Sequence, residues 1–265
     1  MATKCPPSWD TTYGMARSRT LSVVSTNPWP TRIWRWVKVL CALWVGSVII
    51  FRFIAPPITP LMIIRAVEYW SQGESAFKGW EWKPLSYFPI HVQQAIVAAE
   101  DARFTDHWGV DLSAVEDALD DSDERARPRG ASTITMQTVK NVFLWPGRSY
   151  VRKVIEAGMA PIAGLVWGKR RTLELYLNVI EWGEGVYGLE AASRYYYNKP
   201  ASQLDLREAA ALASILPAPR RLSPRTLSNG SQRRYQRILK EAQAIVLPKQ
   251  GASRASYRWK RNKGQ

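Results

Sequence analysis

Three groups of residues have the types and spacing to do chemistry. The first is Glu100 and Asp101, side by side at the end of the apolar run Ala95–Ala99, followed by Phe104, His107, Gly109 and Asp111. A carboxylate at the edge of an apolar helix is a candidate general acid or base, because partial burial raises its pKa toward the working range. The same pattern also fits an acidic pair that ends a helix in solvent. The second group follows Gly130-Ala131-Ser132-Thr133, a compact entry to a helix with Ser132 or Thr133 as N-cap. Free N–H groups at such a terminus can hold phosphate. Thr133, Gln137 and Lys140 fall at i, i+4 and i+7 and share one face. A hydroxyl, an amide and an ammonium on one face suit a polar anionic ligand, although a capped surface helix has the same spacing. The third group is Arg152, Lys153 and Glu156. It reads either as a routine helix ion pair or as a second carboxylate between two cations that also face a phosphate.

Helices must position these groups. Spacing of 3.6 residues predicts helices over 91–103, 112–119, 133–143, 149–167, 169–180, 187–197, 204–215 and 231–246. No convincing run of alternating strand residues appears, so the class is mainly α. Asp120 to Gly130 is charged, ends in Arg-Pro-Arg-Gly and is expected to be a loop. The basic cluster Lys169-Arg170-Arg171 precedes a Leu/Tyr core face, and the small residues of Gly185–Tyr196 predict close helix packing. The aromatic stretch 61–90 fits either a surface resting on a membrane or an ordinary core. Ser75-x-x-Lys78 matches a transpeptidase motif, but no K-T-G follows and the match is read as chance.

The net charge of +15 sits at the ends: residues 1–54 carry +6, 55–198 carry −3 and 199–265 carry +12. Basic ends call for an anionic partner, and thirteen Trp favour a membrane over nucleic acid. Ile33–Ile54 is long enough to cross a bilayer, with a charge-free core from Val39 to Phe51. Arg17, Arg19, Arg32, Arg35 and Lys38 precede it, which predicts a cytoplasmic N-terminus. Ala55-Pro56 offers no small-residue cleavage site, so an uncleaved anchor is expected rather than a signal peptide; a buried core helix is the other reading. The expected organisation is a tail over 1–32, an anchor over 33–54, a main domain over 55–247 and a basic tail over 248–265. Cys5 and Cys41 are not expected to pair.

Glu100 to Asp111, Gly130 to Asn141, Arg152 to Glu156, Lys169 to Asn178 and Gly185 to Tyr196, in this order, resemble the signature blocks of the peptidoglycan glycosyltransferases. That family polymerises a lipid-linked disaccharide at the outer face of the bacterial membrane. One departure is Met136, where the family usually carries the first of two adjacent Gln. The resemblance implies a lysozyme-like α-helical fold and, with one anchor and a short chain, a monofunctional biosynthetic member. It implies Glu100 and Glu156 as catalytic residues. It implies Lys140, Arg152, Gln137, Ser132, Lys153, Thr133, Asp101 and Phe104 as substrate contacts, and a divalent cation (Mg or Mn) with unassigned ligands. The implied partners are lipid II, the growing lipid-linked glycan, membrane lipids and proteins of cell-wall synthesis or division; no nucleic acid and no organic cofactor is expected. A lysozyme-like hydrolase or lytic transglycosylase is the alternative enzyme, and a membrane-anchored binding protein the non-enzymatic one.

Overall fold

A computed structural model describes residues 29–73, 78–120, 132–147 and 149–248. The expected N-terminal tail before residue 29, most of the loop, Ser75 of the chance motif and the basic tail beyond Pro248 lie outside the described residues. The described chain is helical with one small sheet. The elements are α1 (Trp29–Phe51), α2 (Pro60–Ser71), β1 (Gly79–Trp80), α3 (Ile90–Glu100), α4 (Leu112–Asp120) and α5 (Ile134–Phe143). There follow α6 (Tyr150–Val179), β2 (Glu181–Gly183), β3 (Val186–Tyr187), α7 (Leu189–Tyr197), α8 (Leu206–Ile215) and α9 (Asn229–Glu241).

The helices match the 3.6-residue spacing to within about three residues at most ends; α9 stops five residues short of the expected end, with a 3-10 turn at Ala242–Ala244. α6 is two helices joined at Gly168, whose φ of 67° no other residue type adopts easily, so the expected break between 167 and 169 is present. The sheet is the difference from expectation. Its order is β1-β3-β2, with β1 parallel and β2 antiparallel to β3. Strands of two or three residues are too short to show an alternating pattern.

α3 is the central element of the core. Val92, Ala95, Ile96, Val97, Ala98 and Ala99 are all buried. Small residues on both flanks let α8 approach with Ala209, Ala210 and Ala213, and α9 adds Ile238. Gln93 is buried too, and its amide donates to the carbonyls of Leu85 and Phe88, which removes the cost of burying it. α8 begins with a full capping box between Asp205 and Glu208. At the end of α6, Asn178 bonds both the N–H and the carbonyl of Lys83, and Trp80 donates to the Asn178 carbonyl. The aromatic stretch is therefore mostly core: Tyr69 and Phe88 are buried, while Trp70 is 82% exposed.

The chain divides into residues 1–43 and 44–265. Arg32–Phe51 is apolar enough to cross a membrane, with a mean hydropathy of 1.7 and few buried residues. α1 thus begins four residues before the expected anchor and ends three before it. Within the larger unit, the last two turns of α1 are tied to α6. Val48 packs with Trp167, and Trp167 donates to the Val48 carbonyl at 2.8 Å. Arg171 donates to the carbonyls of Phe51 and Ile54 at 2.8 and 2.7 Å. A helix leaves its last carbonyls unbonded, and a cation there meets the negative end of its dipole.

Candidate functional site

α3 ends at Glu100 because the next residue is spent elsewhere. Asp101 has non-helical φ and ψ. One carboxylate oxygen accepts from the Ile134 N–H at the start of α5 at 3.0 Å, and the other meets His107 Nε2 at 3.0 Å. The Gly109 N–H donates to His107 Nδ1, so the ring's proton sits on Nε2 and points at Asp101. Gly109 is a glycine for two reasons: its φ is 125°, and a Cβ would lie 2.5 Å from the Ala160 carbonyl oxygen on α6. Thr133, the N-cap of α5, donates to the Gly109 carbonyl and accepts from Met136 N. This turn therefore fastens the end of α3 to the start of α5 and to the side of α6.

Glu100 is left facing outward from that knot. Gln137 Nε2 donates to one of its oxygens at 2.8 Å, and Arg234 of α9 donates to the other at 2.9 Å. Gln137 is itself held: the buried Tyr176 hydroxyl donates to its amide oxygen at 3.2 Å. Burial raises the Tyr176 pKa well above its usual value, so it stays a neutral donor.

One helical turn along α5, Lys140 is partly buried. Desolvation pulls its pKa below the ordinary value, opposed by Glu156 and Glu100 and reinforced by Arg152 and Lys153. Glu156 is buried and pairs with Arg152 through Nη1 and with Lys153 at 3.5 Å. Lys153 also donates to Ser132 at 2.9 Å. Arg152 Nε is buried and has no hydrogen-bond partner among the described residues. Gln137, Lys140, Arg152 and Tyr176 line a cleft of about 580 Å³. Glu100 reaches that wall through Gln137.

The expected site residues thus divide. Glu100 and Gln137 form one bonded pair, Arg152, Lys153, Glu156 and Ser132 a second bonded group, and Lys140 is coupled to both by charge. Asp101, Phe104 and Thr133 bond to neither group. Asp101 and Thr133 are the buried fastenings just described, and Phe104 is fully buried in the main core. The Phe104 carbonyl accepts from Lys169, whose ammonium lies 4.5 Å from the Phe104 ring. Burial lowers the Lys169 pKa to about 8, although Asp101, Asp106 and Asp111 oppose the shift. Arg234 escaped the sequence reading. It stands 134 residues from Glu100, and α9 reads only as one of several basic helix faces.

Asp101, His107 and Asp111 bring their ligand atoms within 4.8 Å of one another, which is metal-like proximity. The trio does not fit a resident cation. Both Asp101 oxygens and both His107 nitrogens are engaged as above. Asp111 accepts from Ser113 and from Ala114 N through one oxygen and from Arg103 through the other.

The family model Transglycosylase matches residues 73–243. A biosynthetic peptidoglycan transglycosylase of Yersinia pseudotuberculosis serotype IB (strain PB1/+) is 41% identical over 225 residues, covering 83% of this chain and 93% of that protein. One from Yersinia pestis (strain Pestoides F) is 42% identical over 217 residues, covering 80% and 90%. With the family model spanning more than half of the sequence and relatives this similar nearly end to end, the chain belongs to the transglycosylase family of lysozyme-like fold.

Proposed function

We propose that Glu100 is the general base of an inverting glycosyl transfer and that Lys140 and Arg152 bind the departing diphosphate. The chain is a peptidoglycan glycosyltransferase that extends glycan strands in cell-wall synthesis. In this reading the donor is the growing glycan on its lipid diphosphate, and the acceptor is a fresh lipid II molecule. The Glu100 carboxylate takes the proton of the acceptor GlcNAc 4-hydroxyl. That oxygen bonds to the anomeric carbon of the donor MurNAc as the bond from carbon to diphosphate oxygen breaks. The product link is β(1→4), and the lipid diphosphate leaves with the bond's electron pair. Gln137 and Arg234 each occupy one lone pair of a Glu100 oxygen, and each oxygen keeps a second for the proton.

The observation that carries this reading is the direct bond from Glu100 to Gln137, which shares a cleft wall with Lys140 and Arg152. The proposed base thereby stands one side chain, that of Gln137, from the cavity that the cations line. Cations in a partly desolvated wall stabilise developing negative charge without reorganising at the moment of reaction. Of the roles open to Glu156, its contacts support orientation of Arg152 and Lys153. Ser132 then fixes Lys153. Asp101, Phe104 and Thr133 support the base from behind. A divalent cation of the kind this family uses would not take the carboxylate–histidine trio, whose ligand atoms are already bonded within the protein.

The membrane supplies both substrates. α1 is read as a single-pass anchor of the inner membrane, with a cytoplasmic N-terminus and the main domain, residues 55–247, on the periplasmic face. Ile63, Val67 and Trp70 of α2, at i, i+4 and i+7, are exposed and suit contact with lipid.

The deciding experiment supplies purified protein with lipid II. Glu100→Gln is expected to lose about 10²- to 10⁴-fold in polymerisation while its circular dichroism is unchanged. Wild-type turnover by that variant removes Glu100 as the base. Release of small fragments from finished glycan by the wild-type protein would favour the hydrolase instead.

A further inference from the structure

The cleft has two chemically different ends, and the catalytic reading uses only one. Gln137, Lys140 and Arg152 line what is here the near end, beside the proposed base; Arg65, Glu181, Glu184 and Arg220, joined by ion pairs, line it with Arg221 as a separate cluster, here the far end. Glu181 sits at the start of β2, with its side chain 9% exposed. Burial pushes its carboxyl above the ordinary value against the pull of Arg65 and Arg220. Its Oε1 is buried without a hydrogen-bond partner among the described residues, and Arg65 Nε is 3.5 Å from Oε2.

Arg220 is held at long range. Its Nε is 4.0 Å from Glu181, its Nη2 is 3.9 Å from Glu184, and its guanidinium carbon is 5.6 Å from the Tyr69 ring centroid. These are the outer limits of ion pairing, and besides them the guanidinium approaches the Tyr69 hydroxyl closely enough to oppose the rise that burial gives its pKa. Its planar fork of donors is therefore open to a carboxylate, the partner it fits in bidentate fashion. Arg220 is presented by the turn Pro217-Ala218-Pro219, closed by bonds from Ala218 N to the Ile215 carbonyl and from Arg221 N to the Ala218 carbonyl. A closed turn lowers the ordering cost of binding.

A lipid-linked disaccharide-peptide carries charge in two places, its diphosphate and its peptide. The diphosphate is assigned above to Lys140 and Arg152, and the sugars are neutral. Five charged side chains around the far end thus have one remaining counterpart. Resting on the catalytic reading above, we propose that this end is a subsite for the charged peptide, with Arg220 and Arg221 holding a carboxylate, Glu184 an ammonium, and Glu181 positioning Arg220.

The test compares two substrates on the full chain: the lipid-linked disaccharide with its peptide and the same molecule with a simple amide in place of the peptide, which keeps the sugars neutral. The quantity read is the ratio of the two kcat/KM values. The wild-type protein is expected to prefer the peptide-bearing substrate, and Arg220→Gln to cut that preference about tenfold, the loss of one charge-assisted contact. Arg221→Gln is expected to cut it less. An unchanged ratio in both variants, or no preference in the wild type, overturns the subsite and leaves the catalytic reading standing. Should Arg220→Gln fail to fold by circular dichroism, Arg221→Gln decides alone. A wild-type protein that polymerises neither substrate brings down the catalytic reading, and the subsite with it.

Discussion

The two walls around Glu100 are built in opposite ways. On one side the turn from Asp101 to Asp111 is closed: each carboxylate and ring nitrogen in it has a partner within the protein, and Thr133 seals it to α5. On the other side Lys140, Arg152 and Lys153 crowd around one buried carboxylate, with Arg152 Nε left without a bond among the described residues. On the proposed reading, a base must be placed to a fraction of an ångström before substrate arrives, which a rigid and satisfied backing provides. On the same reading, cations that receive a diphosphate must keep donors free, which a wall with three cations around one carboxylate provides. Acids next to each other in sequence, Glu100 and Asp101, fall on opposite sides of this division.

The largest expected effect tests the open wall. Lys140→Ala should lower kcat about 10²- to 10³-fold, the usual cost of removing one group that stabilises transition-state charge. It should not lower the melting temperature, because the lysine's burial is a cost to the fold. Arg152→Ala should lose similar activity and stability as well, since it removes the closest partner of the buried Glu156 and leaves it Lys153 at 3.5 Å and the charge of Lys140. If Lys140→Ala melts early while Arg152→Ala does not, the two cations have been assigned the wrong way round.

Asp101→Asn addresses the closed wall and should show a smaller effect of the other kind. The amide cannot accept at both positions, so either the Ile134 N–H or the His107 N–H loses its acceptor. A loss of about 1–3 kcal/mol in unfolding free energy is expected. Activity should fall only as far as Glu100 is displaced. Denaturant titration and initial rates on the same preparation separate the two. A stable Asp101→Asn protein with no activity would move Asp101 into the chemistry.

Local pattern carried much of this in the sequence. The apolar spacing of α3, α5 and α6, the break at Gly168 and a cap at Ser132 or Thr133 are all properties of neighbouring residues, and they were legible; the structure selects Thr133. So was the shared face of Gln137 and Lys140. Two kinds of feature were not. Arg234 reaches Glu100 from the far end of the chain, and nothing in α9's own spacing marks one arginine among Arg233, Arg234 and Arg237. The roles of Asp101 and Phe104 were hidden for a different reason. A motif records which residues recur together and not which of them touch substrate, so structural supports and reacting groups carry the same mark. The little sheet was invisible because its strands are shorter than one period of the pattern that would disclose them.

Lys169 offers the finest test of the closed wall, because it is a partly buried cation packed against it. Its pKa is lowered from 10.5 to about 8 in the folded protein. Below pH 8 it is protonated in both the folded and unfolded states, and its full desolvation cost is present. Between pH 8 and 10.5 the folded form sheds its proton while the unfolded form keeps it. The unfolded state then binds more protons, so this group makes stability rise with pH across that window, by at most about 1.4 kcal/mol per pH unit. Above 10.5 both states are neutral and the contribution is flat. Tyrosines titrate nearby in pH, so the quantity to read is the difference between the wild-type protein and Lys169→Met, by urea unfolding at half-unit steps from pH 7 to 11. The methionine variant should lack the rising term, although it also loses the bond to the Phe104 carbonyl. A difference that stays constant across the window means that the ammonium is better solvated than its burial indicates, and that the wall behind Glu100 admits water.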